Sequence, residues 1–156
     1  MEKEIIKIGP ISDYLPQRHP FILVDEIVEA DEKMCRTHYD ITSDNMMVEE
    51  GELTEGGLIE NLAQTCAAHI GFVEIHIRKS KKIRIGLVGA VKHCTIMRYP
   101  KIGETVTTEV QEEQVFGEMS SYSAIMRKGE EVIAKGELQV VLNDMQCNPD
   151  RKSTRL

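Results

Sequence analysis

The chain has 156 residues, 41% of them hydrophobic and 4% aromatic, with no Trp. That is the length of one domain, enough to bury a core of Ile, Val, Leu, Met and Ala without metal or disulfide staples. Its formal charge of −7 is opposite in sign to the basic footprint that general nucleic-acid binding requires.

The opening "MEKEIIKIGP" is too charged for a secretory signal. No apolar run reaches bilayer-spanning length, so a cytoplasmic location is expected, with no membrane partner. Cys35, Cys66, Cys94 and Cys147 form no CxxC pair and no regular spacing, which points to neither a zinc site nor a disulfide framework. Cys66 and Cys94 lie in apolar runs and read as reduced core residues.

In "PISDYLPQRHP" the prolines Pro10, Pro16 and Pro20 leave room for about one helical turn. "FILVDEIVEAD" reads as a strand rich in branched residues. "KMCRTHYDI" alternates, with Cys35, Thr37, Tyr39 and Ile41 on one face and Met34, Arg36, His38 and Asp40 on the other. Together they predict a hairpin turning at Asp31-Glu32.

"GGLIENLAQTCAAHIG" (56–71) opens the strong helix, expected to run over 58–78. Ile59, Leu62, Ala63, Cys66, Ile70, Val73 and Ile77 recur at helical spacing, and Leu58, Ala67, Ala68 and Phe72 fill most of the remaining surface. A helix so apolar belongs inside a sheet, yet it carries Glu60, Asn61, Gln64, Thr65 and His69. Those groups are either the lining of a site or contacts that settle how the helix packs.

Four strand candidates follow: "IRIGLVGAVKHCTIM", "ETVTTEVQEEQVF", "EMSSYSAIMRK" and "EVIAKGELQVVL". In the last, Val132, Ala134, Gly136, Leu138, Val140 and Leu142 share a face. The sum is an α+β fold, one antiparallel sheet of about six strands curled round one long central helix. A single domain over 1–143 is expected, with a polar, mobile tail over 144–156. One helix covers one sheet face, so a second copy is expected against it.

Three stretches, in one unbroken order, resemble a known family. "LPQRHPFILVDEIVE" (15–29), "GGLIENLAQTCAAHIG" and "GLVGAVKHCTIMRYPKIGETV" are similar to the signatures of the FabA/FabZ-type β-hydroxyacyl-acyl carrier protein dehydratases. The resemblance implies a hotdog fold, a homodimer or an oligomer of dimers, and acyl carrier protein or coenzyme A thioesters as partners. It calls for no cofactor. In that family a His lies before the helix in "GHFPxxPxMPG", paired with a Glu on the helix. The Glu stands here as Glu60; ungapped counting puts Met46 at the His position, and Gln17 replaces the His of the first signature. The dehydratase-like group of aryl polyene biosynthesis also lacks "GHFP" while keeping "IE-x-MAQ-x-x-AA-x-x-G", and "IENLAQTCAAHIG" is closer to it.

Dehydration of a 3-hydroxyacyl thioester needs a base, an acid and a partner for the charged thioester oxygen. Glu60 is the candidate acid: burial beside Leu58, Ile59 and Leu62 favours its proton-carrying form, although the helix dipole alone also explains a carboxylate there. The Gly57 N–H at the helix mouth is a candidate oxyanion donor; Gly56-Gly57 serve equally well as a loop-to-helix turn. His19 in "QRHPF" is the candidate base, or else packs where relatives have Tyr or Phe. An apolar substrate channel is expected from Gly57 past Phe21 and the helix, with Leu58 and Gln64 along it.

Gln64 occupies the position where "HGG…LAD" thioesterases carry Asp, and Glu55 that of their His, which argues against that class. A thioesterase using Glu60 to activate water and a non-catalytic acyl-binding protein remain open. His38, His69, His76 and His93 show no metal spacing with His19, and His69 reads as a helix-packing residue. "IRKSKKIR" reads as a solvated helix C-terminus, with docking of an acidic carrier protein as the alternative.

Overall fold

The computed structural model describes residues 6–81 and 84–144. The strands are β1 (Glu26–Ala30), β2 (Met34–Asp40), β3 (Val48–Glu49), β4 (Glu52–Leu53), β5 (Arg84–Ile96), β6 (Thr105–Phe116), β7 (Met119–Lys128) and β8 (Glu131–Asp144). Helix α1 spans Glu55–Phe72 and runs into a π-helical turn, Val73–Ile77. Six strands form one antiparallel sheet in the order β1-β2-β6-β7-β8-β5, and β3 pairs only with β4. This is the α+β arrangement expected: one long helix against a six-stranded sheet.

The alternation in β2 does what its sequence predicts. Cys35, Thr37 and Tyr39 are buried, Met34, Arg36 and His38 half-buried, and Asp40 exposed. The hairpin turns where expected: Asp31 Oδ1 accepts from the N–H groups of Lys33 (2.7 Å) and Met34 (2.9 Å), an Asx cap on the turn. On β8, Ala134, Gly136, Leu138 and Val140 are buried against the helix side. The three prolines enclose a single 3-10 turn, Ile11–Asp13.

Helix α1 starts at Thr54, whose extended backbone and side-chain oxygen cap the Gly57 N–H. Leu58, Leu62, Cys66 and Phe72 are completely shielded. The helix lies so close to β5 that a Cβ on Gly86 would come 2.4 Å from Ile70 Cδ1 and 2.9 Å from Val140 Cγ1. A larger residue there would push the Ile70 and Val140 side chains aside.

The structure corrects the sequence reading in three places. Ile77 is exposed, because the π turn takes the end of the helix off the apolar stripe. "FILVD" is not a strand; β1 begins at Glu26, helix side chains hold the backbone at Phe21 and Leu23 instead, and Asp25 N donates to His38 O of β2. The short β3–β4 hairpin went unpredicted, since two-residue strands leave no period to read. Cys94 is half-buried, on strand β5. Strand β8 extends through Asp144; the expected tail otherwise lies outside the described residues, as does Cys147. Among the described residues no helix is long and apolar enough to cross a membrane.

Candidate active site

Most of the polar groups on α1 are bonded into the rest of the domain. Asn61 Nδ2 donates to Leu23 O (2.7 Å), and its Oδ1 accepts from Thr108 Oγ1 (2.6 Å). Gln64 Oε1 accepts from Leu23 N (2.7 Å), and its Nε2 donates to Phe21 O (2.9 Å). The two amides thus take the backbone groups of Leu23 that a neighbouring strand would otherwise bind. Thr65 Oγ1 donates to Asn61 O (2.9 Å), so its contact with Thr37 Oγ1 (2.8 Å) must be donated by Thr37. His69 Nε2 lies 3.0 Å from Asp31 O, which can only accept, so Nε2 carries the proton and Nδ1 accepts from Tyr122 OH (2.7 Å). Burial pushes His69 below the usual imidazole range, in keeping with a neutral ring.

Glu60 is different. It is half-buried, and its hydrogen bond is with a helix neighbour: Gln64 Nε2 donates to Glu60 Oε1 at 3.0 Å. Because Phe21 and Leu23 fix both ends of the Gln64 amide, its second N–H is held toward Glu60 without freedom to rotate. Glu60 Oε2 has no hydrogen-bond partner among the described residues. A half-buried carboxyl, oriented on one oxygen and unbonded on the other, is equipped to exchange a proton with a ligand.

At the helix mouth the protein uses Gly57 itself. Its N–H donates to Thr54 Oγ1 (3.1 Å), and a Cβ there would meet Leu53 Cδ1 at 2.7 Å and Met47 Cβ at 2.8 Å. Gly56 is exposed, and a Cβ on it would meet only the methyl tip of Met47 at 3.1 Å. Leu58 is completely buried, Gln64 is 1% exposed with its amide fully engaged, and Phe21 is 59% exposed.

His19 lies on another surface. Its Nε2 is 3.4 Å from Asp44 Oδ2, and it lines a cavity of about 390 Å³ with Pro20, Ile22, Tyr39 and Asn45. Glu60 is not among the residues lining that cavity. Met46, the residue that ungapped counting set against the family His, is 56% exposed and two residues beyond Asp44. Asp44 was invisible to sequence reasoning: its partner is 25 positions away, and no spacing signals the pair. His76 is partnered by Tyr14 OH (2.7 Å) and His38 by Glu26 (3.3 Å).

In the basic stretch, Arg78 and Arg84 are bound to the buried Glu74 at 3.2 and 2.7 Å, while Lys79 and Lys81 are exposed. Lys82 lies outside the described residues. Burial pushes the Cys35 thiol up to about 12 and lifts Cys66 as well, so neither supplies a thiolate.

The long helix packed against its six-stranded antiparallel sheet defines a hotdog domain. The family model of the ApeP-like proteins (ApeP dehydratase) matches residues 9–150, and the chain belongs to that family. It is 28% identical over 144 residues to the 3-hydroxyacyl-[acyl-carrier-protein] dehydratase FabZ of Clostridioides difficile, covering 88% of this chain and 98% of that one. The dehydratase heterocomplex ApeI:P from Xenorhabdus doucetiae has the same fold, with a TM-score of 0.79 at 14% identity over 96% of this chain and 100% of the other. A hypothetical thioesterase with coenzyme A from Streptococcus pneumoniae shares the fold at a TM-score of 0.60 and 9% identity, over 76% and 85% of the two chains.

Proposed function

We propose that this chain dehydrates 3-hydroxyacyl thioesters, carried by acyl carrier protein or coenzyme A, in fatty acid or polyene biosynthesis. The observation that carries the reading is Glu60, half-buried near the helix start and oriented by an immobilised Gln64 amide. In the reaction a base takes a proton from the carbon beside the thioester carbonyl. The hydroxyl on the next carbon leaves as water with a proton from the acid, and the electron pair of the broken C–H bond becomes the new C=C bond. Protonated Glu60 supplies the acid proton, and neutral His19 accepts the other. Return of that proton from His19 to Glu60 through water resets the site.

The thioester oxygen gains charge on the way, and the N–H groups at the mouth of α1 answer it together with the helix dipole. Gly57 can donate there once the Thr54 hydroxyl yields its bond; the exposed Gly56 carries no such cap. The acyl chain enters beside the exposed Phe21, with the buried Leu58 and the engaged Gln64 behind that surface. Because Glu60 does not line the His19 cavity, the two act on one substrate across two subunits, with His19 from one copy and Glu60 from the other.

A dimer, of two copies or with a related hotdog chain, is supported by the open edge of β5 at one end of the sheet. Exposed Lys79 and Lys81 offer an acidic carrier protein a docking surface. A non-catalytic acyl-binding role is favoured by Met46 and by the separation of His19 from Glu60, and a thioesterase by the lone oriented carboxyl. A crotonyl thioester assay separates the three. A dehydratase hydrates it reversibly, a thioesterase releases free thiol, and a binding protein does neither while still raising its own melting temperature with ligand.

A further inference from the structure

We infer that Asp44 is the positioning residue of the base: its carboxylate holds His19 with the ring proton on Nε2, leaving Nδ1 as the nitrogen that takes the substrate proton. This rests on the dehydratase reading above and adds a residue to it. A carboxylate only accepts hydrogen bonds, so the 3.4 Å contact between His19 Nε2 and Asp44 Oδ2 selects the tautomer with hydrogen on Nε2. The other oxygen of Asp44 is itself bound by the Thr42 hydroxyl. That bond, and then the one from His19, hold Asp44 below the usual carboxylate range.

Both sides of the pair are anchored. Asn45, next to Asp44, donates to Tyr39 OH through Nδ2 and accepts from Met47 N at 2.7 Å through Oδ1. Arg18, next to His19, donates to Leu15 O at 2.6 Å and Gln17 O at 2.8 Å, and its carbonyl accepts from Phe21 N at 2.8 Å. The backbone beside each partner is thus held, while the two side chains themselves stand exposed.

The pair is solvent-exposed, with side chains 73% and 68% accessible, so its effect is modest. Asp44→Asn should lower kcat for crotonyl thioester hydration by about fivefold, the scale of an exposed ion pair, with KM within about twofold of the parent. The ring ¹⁵N resonances of His19 provide a signature that a structural role would not move. They should show the Nε2–H tautomer in the parent and a mixture in Asp44→Asn, with unchanged melting temperature in both. Thr42→Val should shift the same resonances in the same direction. Unchanged kcat or an unchanged tautomer in Asp44→Asn, with His19→Ala still strongly impaired, overturns the role of Asp44 and leaves His19 as base. Full activity in His19→Ala removes the base assignment, and the inference with it.

Discussion

Replacing Gln64 with Leu asks whether one amide couples the fold to the site. Gln64 is 1% exposed, and its amide accepts from Leu23 N and donates to Phe21 O and Glu60 Oε1. Leucine matches the volume but strands the buried Leu23 N–H, at about 1–3 kcal/mol. The Phe21 carbonyl is partly accessible and recovers water, so its loss costs about 1 kcal/mol or less. The lost bond to Glu60 adds about 1 kcal/mol, and the greater apolar burial of Leu returns a similar amount. The net expectation is about 1–4 kcal/mol, or roughly 2–16 °C in Tm for a domain of this size. Urea unfolding with an unchanged m-value measures the loss, and native-state hydrogen exchange locates it: the Leu23 amide should exchange faster before any strand amide of β6 or β7 does. A loss below about 0.5 kcal/mol, the range of a neutral surface change, with the Leu23 amide still protected, would refute the reasoning.

Three further outcomes are expected. Burial depresses His69 from its ordinary 6.5, so the folded state binds fewer protons than the unfolded one below that pH; the stability it contributes is full above pH 6.5 and lost as pH falls toward the folded value. A His69→Phe variant should therefore show a flatter stability-pH curve just below 6.5. Glu104 is held well below its ordinary 4.5 by hydrogen bonds from Arg98, Lys128 and the Lys101 N–H, so its contribution is full above pH 4.5 and fades as pH drops through the folded value. The Tm gap between the parent and Glu104→Gln should accordingly narrow in acid. Met46→His restores a ring at an exposed position, should change stability by no more than about 0.5 kcal/mol, and should raise the hydration rate; no rise would place the family position away from the substrate.

The fold was legible because its signals are local and periodic. The alternation of Cys35, Thr37, Tyr39 and Ile41 fixed a face, and the apolar recurrence from Leu58 to Phe72 marked a buried helix. The 21–23 stretch was misread because branched residues favour extended backbone whether the bonding partner is a strand or, as here, the side chains of Asn61 and Gln64. The polar helix positions were visible and His69 was read as a packing residue, but the partners that set the others' roles were not legible. Asn61, Thr65 and His69 look like Glu60 in sequence and differ only in having partners on Leu23, Thr108, Thr37, Tyr122 and Asp31. Those contacts span 28 to 53 positions, beyond any spacing rule.

The central claim is that Glu60 delivers a proton during dehydration, and one substitution tests it. Glu60→Gln keeps the shape of the side chain and removes the proton that a general acid must give. The rate of crotonyl thioester hydration should fall by about two to four orders of magnitude, while the folding free energy changes by no more than about 1 kcal/mol, the scale of a charge near a helix terminus. A parent that hydrates the thioester and a Glu60→Gln variant that does so equally fast would contradict the account.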